Sequence, residues 1–437
     1  MAAAPIAAAD SIREQQWHLD AMKASDMWKV SKGQGVTVAV IDSGFKLDHP
    51  DLAGQLLPGK DLSGLPGGVG AYTESHGTEM AALVVGSGKG MNGNGAYGLA
   101  PGAKVLPVKI KNNDNATGVS SSEFLSQIDQ GITYAADQGA KVISISQATS
   151  AAQLSADDLA GLKAAVDHAR SKGSLVVAGV GNSAQSGNPV QYPAATPGVL
   201  GVGAVDREGN VTAESERGPQ VDLVAPGIEI YNACTASSGY CKGHGTSDAT
   251  ALVSASAALV WAAHPDWTAN QITRVLINTA GKPSDGSVRA DNIGYGAVRP
   301  RVALTEPGDP GPADVNPIQE KAVETSAASP SAVPTSPASA SGAALPGVST
   351  PPSVGSAPLG APAAEGEGSG SVVSVVAAVV GGLVLVAAVA FFVVRGRSVR
   401  RGASAVVPPM PQQVGPGVPP PPAYGPPAPP NDNPYTR

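Results

Sequence analysis

The sequence predicts an α/β domain in which helices flank a parallel sheet, and two patterns support that fold class. The first is a series of short β-branched runs with few charges, as strands buried on both faces of a parallel sheet require. These runs are Val36–Ile41, Val105–Ile110, Val142–Ile145, Leu175–Val180 and Val199–Val205. The second is the helical spacing of the segments between them, because strand–helix–strand alternation is typical of parallel sheets with right-handed crossovers.

Four segments have the apolar spacing of helices. They are Ser121–Gln138, Ala156–Lys172, Thr250–Ala263 and a segment that begins near Thr268. In the first, Leu125, Ile128 and Ile132 recur on one helical face. Ser121 or Ser122 is its candidate N-cap. In sheets of this type functional groups collect beyond the carboxyl ends of the strands, so polar residues there are the first candidates for a site.

The composition of the chain changes near residue 305. The 437 residues are enough for more than one unit. Residues 306–370 are mostly Pro, Ala, Ser, Gly and Val, and they cannot bury enough apolar surface to offset the entropy of ordering. We therefore expect a flexible linker there. Ahead of it we distinguish an N-terminal extension, residues 10–30, from the α/β domain, residues 31–305.

A second change of composition predicts a membrane span. The run Val372–Val394 has no charged residue, and as a helix it covers the ~30 Å of a bilayer core. A buried helix of a soluble domain is the alternative, but the linker and the Pro-rich residues 395–437 leave nothing to bury it. We expect a transmembrane helix over residues 371–394. Four arginines follow within residues 395–401, so the tail is predicted to be cytoplasmic and the α/β domain to lie outside the cell.

Two further features bear on partners and location. The net charge of −7 gives no reason to expect a nucleic-acid partner. Residues 1–9 are too short for a signal peptide and have no basic region, but their small residues resemble the end of one. We expect residues 1–9 to be a signal-peptide remnant or disordered.

The chain has two cysteines, Cys234 and Cys241, seven positions apart in a segment rich in Gly and Ser. They can close a small disulfide, and two buried free thiols are the alternative. The predicted position of the domain outside the cytoplasm favours the disulfide.

Three residues have the types and sequence positions that catalysis by a serine nucleophile requires. Asp42 ends the first predicted strand, His76 begins a helical pattern, and Ser247 precedes a long run of small and aliphatic residues. Each has an ordinary structural explanation by itself, as a turn former, a helix-entry residue or an N-cap. Together they supply a hydroxyl nucleophile, a base for its proton and an anion that orients the base.

Several sequence blocks resemble those of the subtilisin-like serine proteases, whose catalytic residues follow the order Asp, His, Ser. The resemblance extends over residues 30–280. The blocks include Val-Ala-Val-Ile-Asp-Ser-Gly (38–44), His-Gly-Thr (76–78), Val-Val-Ala-Gly-Val-Gly-Asn (176–182), Val-Asp-Leu-Val-Ala-Pro-Gly (221–227) and Gly-Thr-Ser-x-Ala (245–249). The resemblance implies a subtilisin-like fold and a serine endopeptidase that needs no cofactor.

The same resemblance implies a role for each candidate residue. Asp42 orients the imidazole of His76, which acts as general base and then as general acid, and Ser247 is the nucleophile. Asn182 donates its side-chain amide to the oxyanion, together with the main-chain N–H of Ser247. No metal site is predicted, because the Asn-rich loops carry no clear calcium-binding signature.

The architecture resembles one branch of these proteases more narrowly, the membrane-anchored mycosins of type VII secretion. The similar features are the segment ahead of the first strand, the cysteine loop before Ser247, the linker and the C-terminal span. The resemblance implies a secreted protein or peptide as substrate and type VII membrane components as partners. It also implies that residues 10–30 pack around the catalytic domain. A structural role in the secretion complex, with little proteolysis, is the alternative function.

The sequence departs from the family pattern at two places. Subtilisin-like enzymes usually carry Ser-Leu-Gly where the substrate backbone pairs with the enzyme, and here the corresponding run is Ser144-Ile145-Ser146-Gln147. We expect this run to bind substrate, with Gln147 narrowing the entrance of the P1 pocket. After the nucleophile many relatives carry an apolar residue, whereas this chain has Asp248, whose charge would oppose an oxyanion nearby.

Overall fold

The computed structural model describes residues 11–112 and 118–318. Its main sheet has seven strands in the order β2-β3-β1-β4-β6-β8-β9, and every neighbouring pair is parallel. The strands are β1 Thr37–Asp42, β2 Lys60–Asp61, β3 Lys104–Lys109, β4 Val142–Ile145, β5 Thr149–Ser150, β6 Leu175–Gly179, β7 Gln191–Tyr192, β8 Leu200–Val205, β9 Leu223–Pro226, β10 Ile230–Ala233 and β11 Tyr240–Gly243.

The α-helices vary from single turns to one of 18 residues. They are α1 Ile12–Gln15, α2 Trp17–Ala21, α3 Ala24–Met27, α4 His76–Val85, α5 Gly90–Gly93, α6 Ser121–Asp137, α7 Ala156–Ser171, α8 Thr246–Ala263, α9 Ala269–Asn278 and α10 Pro300–Thr305. The predicted α/β fold with a parallel sheet is thereby confirmed. All five predicted strands are present, with ends shifted by one residue at most.

Three details differ from the prediction. Sequence patterning missed the edge strands β2 and β9, which are only two and four residues long. The N-cap of α6 is Ser120 rather than Ser121 or Ser122, because its Oγ accepts the N–H of Glu123 at 3.1 Å. Helix α8 begins at Thr246, four residues earlier than predicted, so its first turn contains Ser247 and Asp248.

The helices form two groups that pack separately. The chain runs from β1 to the edge strand β2, through α4 to β3, and then through α6 to β4. Helix α7 packs beside α6, whereas α8 packs beside α4 and contacts β4, β6, β8 and β9.

Helix α8 forms the centre of the core. Its residues from Thr246 to Trp261 are all buried, and most of them are small. The short side chains let the sheet approach closely: a Cβ on Gly179, the last residue of β6, would lie 3.0 Å from Thr246 Oγ1. The carboxyl end of β6 and the first turn of α8 are therefore held against each other.

The N-terminal extension packs on the domain through α1, α2 and α3. Leu19 and Met27 are almost fully buried. Gln16, with no exposed surface, donates from Nε2 to the carbonyl oxygens of Tyr97 and Tyr231 and accepts the N–H of Tyr97 at its Oε1. One side chain thus joins the extension to two separate parts of the domain.

The packed chain continues beyond residue 305, where the linker was expected to begin. Arg274 of α9 donates to the carbonyl oxygens of Pro310, Pro312 and Val315. Thr268 Oγ1 donates to the carbonyl oxygen of Ala313 at 2.9 Å. These bonds attach residues 310–315 to α9, because proline-rich chain leaves many carbonyl oxygens free to accept.

No helix within residues 11–112 and 118–318 is long and apolar enough to cross a membrane. The predicted span, residues 371–394, lies outside the described residues, as do residues 1–9 and the tail, 395–437.

Replacing Gln16 by Ala tests the attachment of the extension. The substitution leaves partly buried main-chain groups of Tyr97 and Tyr231 without the three bonds to Gln16, so we expect the free energy of unfolding to fall by about 2–3 kcal/mol. Urea denaturation measures it. The matched control is Gln15→Ala in the preceding turn, which we expect to change stability by less than about 0.5 kcal/mol. Equal effects of the two substitutions would contradict the anchoring role.

Candidate active site

Asp42 and His76 form a hydrogen-bonded pair at the carboxyl edge of the sheet. Asp42 is the last residue of β1 and is fully buried, and His76 is the first residue of α4. His76 Nδ1 lies 2.9 Å from both carboxylate oxygens of Asp42. Asp42 Oδ1 also accepts the N–H of Ser43 at 2.8 Å. The carboxylate therefore fixes the imidazole with its proton on Nδ1 and with Nε2 free to act as a base.

Charges around His76 favour its protonated form. Burial by itself lowers the pKa of His76, but the charge and hydrogen bond of Asp42, with the charges of Glu74 and Asp248, outweigh burial and raise the pKa to about 9. An imidazolium formed at this place is therefore well stabilised.

Ser247 is the second residue of α8 and is 9% exposed. Its Oγ donates to the carbonyl oxygen of Ser146 at 3.2 Å, and Ser146 Oγ donates in return to the carbonyl oxygen of Ser247 at 3.1 Å. In this rotamer the hydroxyl is bonded to Ser146 rather than to His76. Hydrogen bonds between catalytic groups often reach their productive geometry only when substrate is bound.

Asn182 caps the first turn of α8 from the loop after β6. Its Oδ1 accepts the N–H of Thr246 at 2.8 Å. Gly245, with φ +125, lies close beneath this amide, and a Cβ there would be 2.9 Å from Asn182 Nδ2. Asn182 is exposed, and within the described residues Nδ2 has no hydrogen-bond partner. The bond to Oδ1 thus fixes the amide next to Ser247 and leaves its two N–H groups available.

The run expected to bind substrate divides into two parts. Ser144 and Ile145 are buried in β4, which pairs with β1 on one side and β6 on the other. Gln147 Nε2 lies 3.2 Å from both Asp42 Oδ1 and His76 Nδ1. Ser146 is hydrogen-bonded to Ser247, so the second half of the run lies at the candidate catalytic residues.

The two cysteines close the hairpin that leads to this region. Cys234 and Cys241 are joined by a disulfide, with Cα atoms 5.7 Å apart. Cys241 lies in β11, which pairs antiparallel with β10 and ends four residues before Ser247. The bridge therefore constrains the segment directly before the first turn of α8.

Two acidic residues next to the site, the half-buried Glu79 and the buried Glu216, were not singled out in the sequence. Glu79 stands three positions after His76 in α4, where an acidic residue among apolar ones was the available signal. Glu216 is fully buried below the Asn182 loop and accepts from Gln191 Nε2 at 2.6 Å and from the N–H of Ser183 at 3.3 Å. Burial raises the pKa of Glu216 to about 7.

Asp248 follows Ser247 and is only 1% exposed. Neither of its carboxylate oxygens has a hydrogen-bond partner among the described residues. Burial, and then the charge of Glu79, raise the pKa of Asp248 to about 7. Within residues 11–112 and 118–318 no group of acidic, histidine or cysteine side chains is arranged to hold a metal ion.

The chain matches the subtilase family over residues 33–298. Thermitase from Thermoactinomyces vulgaris is 35% identical over 274 residues, which cover 62% of this chain and 90% of thermitase.

Two solved structures are similar to a large part of this chain. The crystal structure of MycP1 from Mycobacterium smegmatis has a TM-score of 0.58 and 28% identity, covering 68% of this chain and 86% of MycP1. The structure of the periplasmic assembly from the ESX-5 inner membrane complex has a TM-score of 0.60 and 27% identity, covering 76% of this chain and 92% of the compared chain. The similarity to the mycosin proteases of type VII secretion is thereby confirmed.

Proposed function

Since the chain belongs to the subtilase family and is a serine endopeptidase, we propose that it cleaves peptide bonds with Asp42, His76 and Ser247 as its catalytic residues. The observation that carries the proposal is the contact of His76 Nδ1 with both oxygens of the buried Asp42, at 2.9 Å. Such a contact leaves Nε2 as the base, and on this proposal the first turn of α8 supplies the nucleophile, Ser247.

The proposed reaction proceeds through an acyl-enzyme. Ser247 Oγ attacks the scissile carbonyl carbon while His76 Nε2 takes the hydroxyl proton, and the charge of Asp42 stabilises the imidazolium. The oxyanion accepts hydrogen bonds from Asn182 Nδ2 and the main-chain N–H of Ser247. His76 returns the proton to the leaving amine, and a water then hydrolyses the ester by the same route.

We further propose that the enzyme acts on a secreted protein or peptide as part of a type VII secretion system. The similarity to MycP1 and to the ESX-5 periplasmic assembly supports this role. The uncharged run Val372–Val394 supports a membrane anchor, with the catalytic domain outside and the tail in the cytoplasm. The similarity to a protein assembly also supports the second candidate function, a stabilising component of the complex with little proteolysis.

A fluorophosphonate probe tests the nucleophile. We expect the wild-type chain to be labelled and Ser247→Ala to be unlabelled, because the probe forms its bond with an activated serine oxygen. The matched control is Ser254→Ala in the same helix, which we expect to be labelled like the wild type. Labelling that survives Ser247→Ala, or a folded wild type that is never labelled, would contradict the proposed triad.

Two substitutions of Asn182 separate its proposed donor from its cap. Asn182→Asp keeps the acceptor for Thr246 N–H but loses the N–H donors, and Asn182→Ala loses both. We expect kcat to fall by about 10²–10³ in each, with little change in KM, because one oxyanion donor contributes that much. Only the Ala variant is expected to lose stability as well, by about 1 kcal/mol. Near-normal kcat in both variants would refute the oxyanion role.

Secretion assays distinguish the two candidate functions. Cells that lack the gene are complemented with the wild-type chain, Ser247→Ala or Ser254→Ala, and exported type VII substrates are measured together with complex assembly. If proteolysis is the function, we expect Ser247→Ala to assemble normally and to leave its substrate uncut. If Ser247→Ala cells export the substrate normally but leave it uncut, export depends on the stabilising role and not on proteolysis. If Ser247→Ala cells still cut the substrate, the proposed protease function is wrong.

A further inference from the structure

Two carboxyl groups lie near the candidate catalytic residues. They belong to Glu79 of α4 and Asp248 of α8. We propose that these two groups hold one proton between them, and that the remaining negative charge makes Asp248 a positioning residue, a second anionic partner of the His76 imidazolium beside Asp42. The inference rests on the proposed function, because it assigns His76 the role of the base.

The two carboxyl groups converge on one point. A Cβ built on Gly243 would lie 3.1 Å from Asp248 Oδ2 and 3.3 Å from Glu79 Oε2. Position 243 has no side chain to separate them. The helices α4 and α8 pack against each other, so the two carboxyl groups approach across a helix interface although their residues are far apart in the sequence.

Polar groups at this point are short of partners. Asp248 is 1% exposed, and neither carboxylate oxygen is hydrogen-bonded within the described part of the chain. The half-buried Glu79 has Ser75 and Asn232 as polar neighbours that favour its ionised form. Asn232 of β10 is also 1% exposed, and both polar atoms of its amide lack a well-oriented hydrogen bond within the described residues. A buried polar cluster with unused donors and acceptors is costly unless it takes up a proton or another partner.

A shared proton relieves this cost. Two ionised carboxylates that both border position 243, in a medium of low dielectric, repel each other, and on our proposal one of them stays protonated near neutral pH. Burial raises the pKa of Glu79, and burial with the charge of Glu79 raises that of Asp248 to about 7. The protonated member can donate a hydrogen bond to the other, which an ionised pair cannot do.

The charges that face Asp248 come from several elements. Glu79 and His76 lie on α4, Glu74 precedes that helix, and Asp42 ends β1. His244 and Glu214 lie in the loops before α8 and β9, and they offset each other because His244 Nδ1 is 2.9 Å from Glu214 Oε1. Of these groups, His76 is the half-buried base of the candidate site, and the charge of Asp248 is one of the charges that raise its pKa.

The position of this charge has two consequences for catalysis. It stabilises the imidazolium that forms when Ser247 loses its proton, so it supports the step that Asp42 also supports. It also keeps His76 protonated to a higher pH, so the neutral imidazole that acts as the base forms only at a higher pH. The acid limb of the pH–rate profile is therefore expected at higher pH than Asp42 alone would place it.

Two substitutions move this limb differently. Asp248→Asn keeps the shape but removes the charge beside His76, whereas Glu79→Gln leaves Asp248 as the sole carboxyl and therefore ionised. We expect the midpoint of the acid limb of kcat/KM to fall by at least about half a pH unit in Asp248→Asn. In Glu79→Gln we expect it to stay or to rise. The matched control is Asp157→Asn on the exposed face of α7, with the wild-type midpoint.

The outcomes are separable. A midpoint in Asp248→Asn equal to that of the wild type, or an equal fall in both variants, would overturn the carboxyl pair. If Asp248→Asn does not fold, the infrared spectrum of Glu79→Gln is compared with that of the wild type at neutral pH. Loss of one protonated-carboxyl band in Glu79→Gln supports the shared proton. An unchanged band overturns it. Failure of Ser247-dependent probe labelling would instead defeat the proposed function, whatever the infrared spectra show.

Discussion

The close approach of helix α8 to the carboxyl end of β6 is the constraint on which the candidate active site depends. Gly179 leaves no side chain between them, Gly181 N donates to Thr246 Oγ1 at 3.3 Å, and the N–H of Thr246 donates to Asn182. The strand end thus carries Asn182 and the helix start carries Ser247. Any larger residue at Gly179 would separate the proposed oxyanion donor from the proposed nucleophile.

Several buried acidic side chains lie at the carboxyl edge of the sheet, and they differ in the number of hydrogen bonds that they accept. Asp42 receives bonds from His76 and from the N–H of Ser43. Glu216 receives bonds from Gln191 and Ser183 at one of its oxygens. Asp248 has no donor within residues 11–112 and 118–318, and burial, followed by the charge of Glu79, raises its pKa to about 7.

The hairpin β10–β11 links the N-terminal extension to this edge. Gln16 of the extension donates to the carbonyl oxygen of Tyr231 in β10, and Trp17 Nε1 donates to those of Ile228 and Glu229 just before that strand. The disulfide joins the far end of the same hairpin. The segment that enters α8 is therefore held from both sides, which limits the movement of the first turn.

The sequence by itself determined the strand and helix alternation, the position of the triad candidates and the parallel class of the sheet. These depend on local patterns: β-branched runs for strands, helical spacing for α6 and α7, and short blocks around Asp42, His76 and Ser247. Only the tertiary structure decided the start of α8 at Thr246, because its cap comes from Asn182 in another element. It also decided that Gln147 Nε2 lies 3.2 Å from Asp42 Oδ1, and that carboxyl oxygens of Glu79 and Asp248 both lie close to Gly243. These contacts join residues that no local pattern relates, and they form only when the helices and strands pack at van der Waals distance.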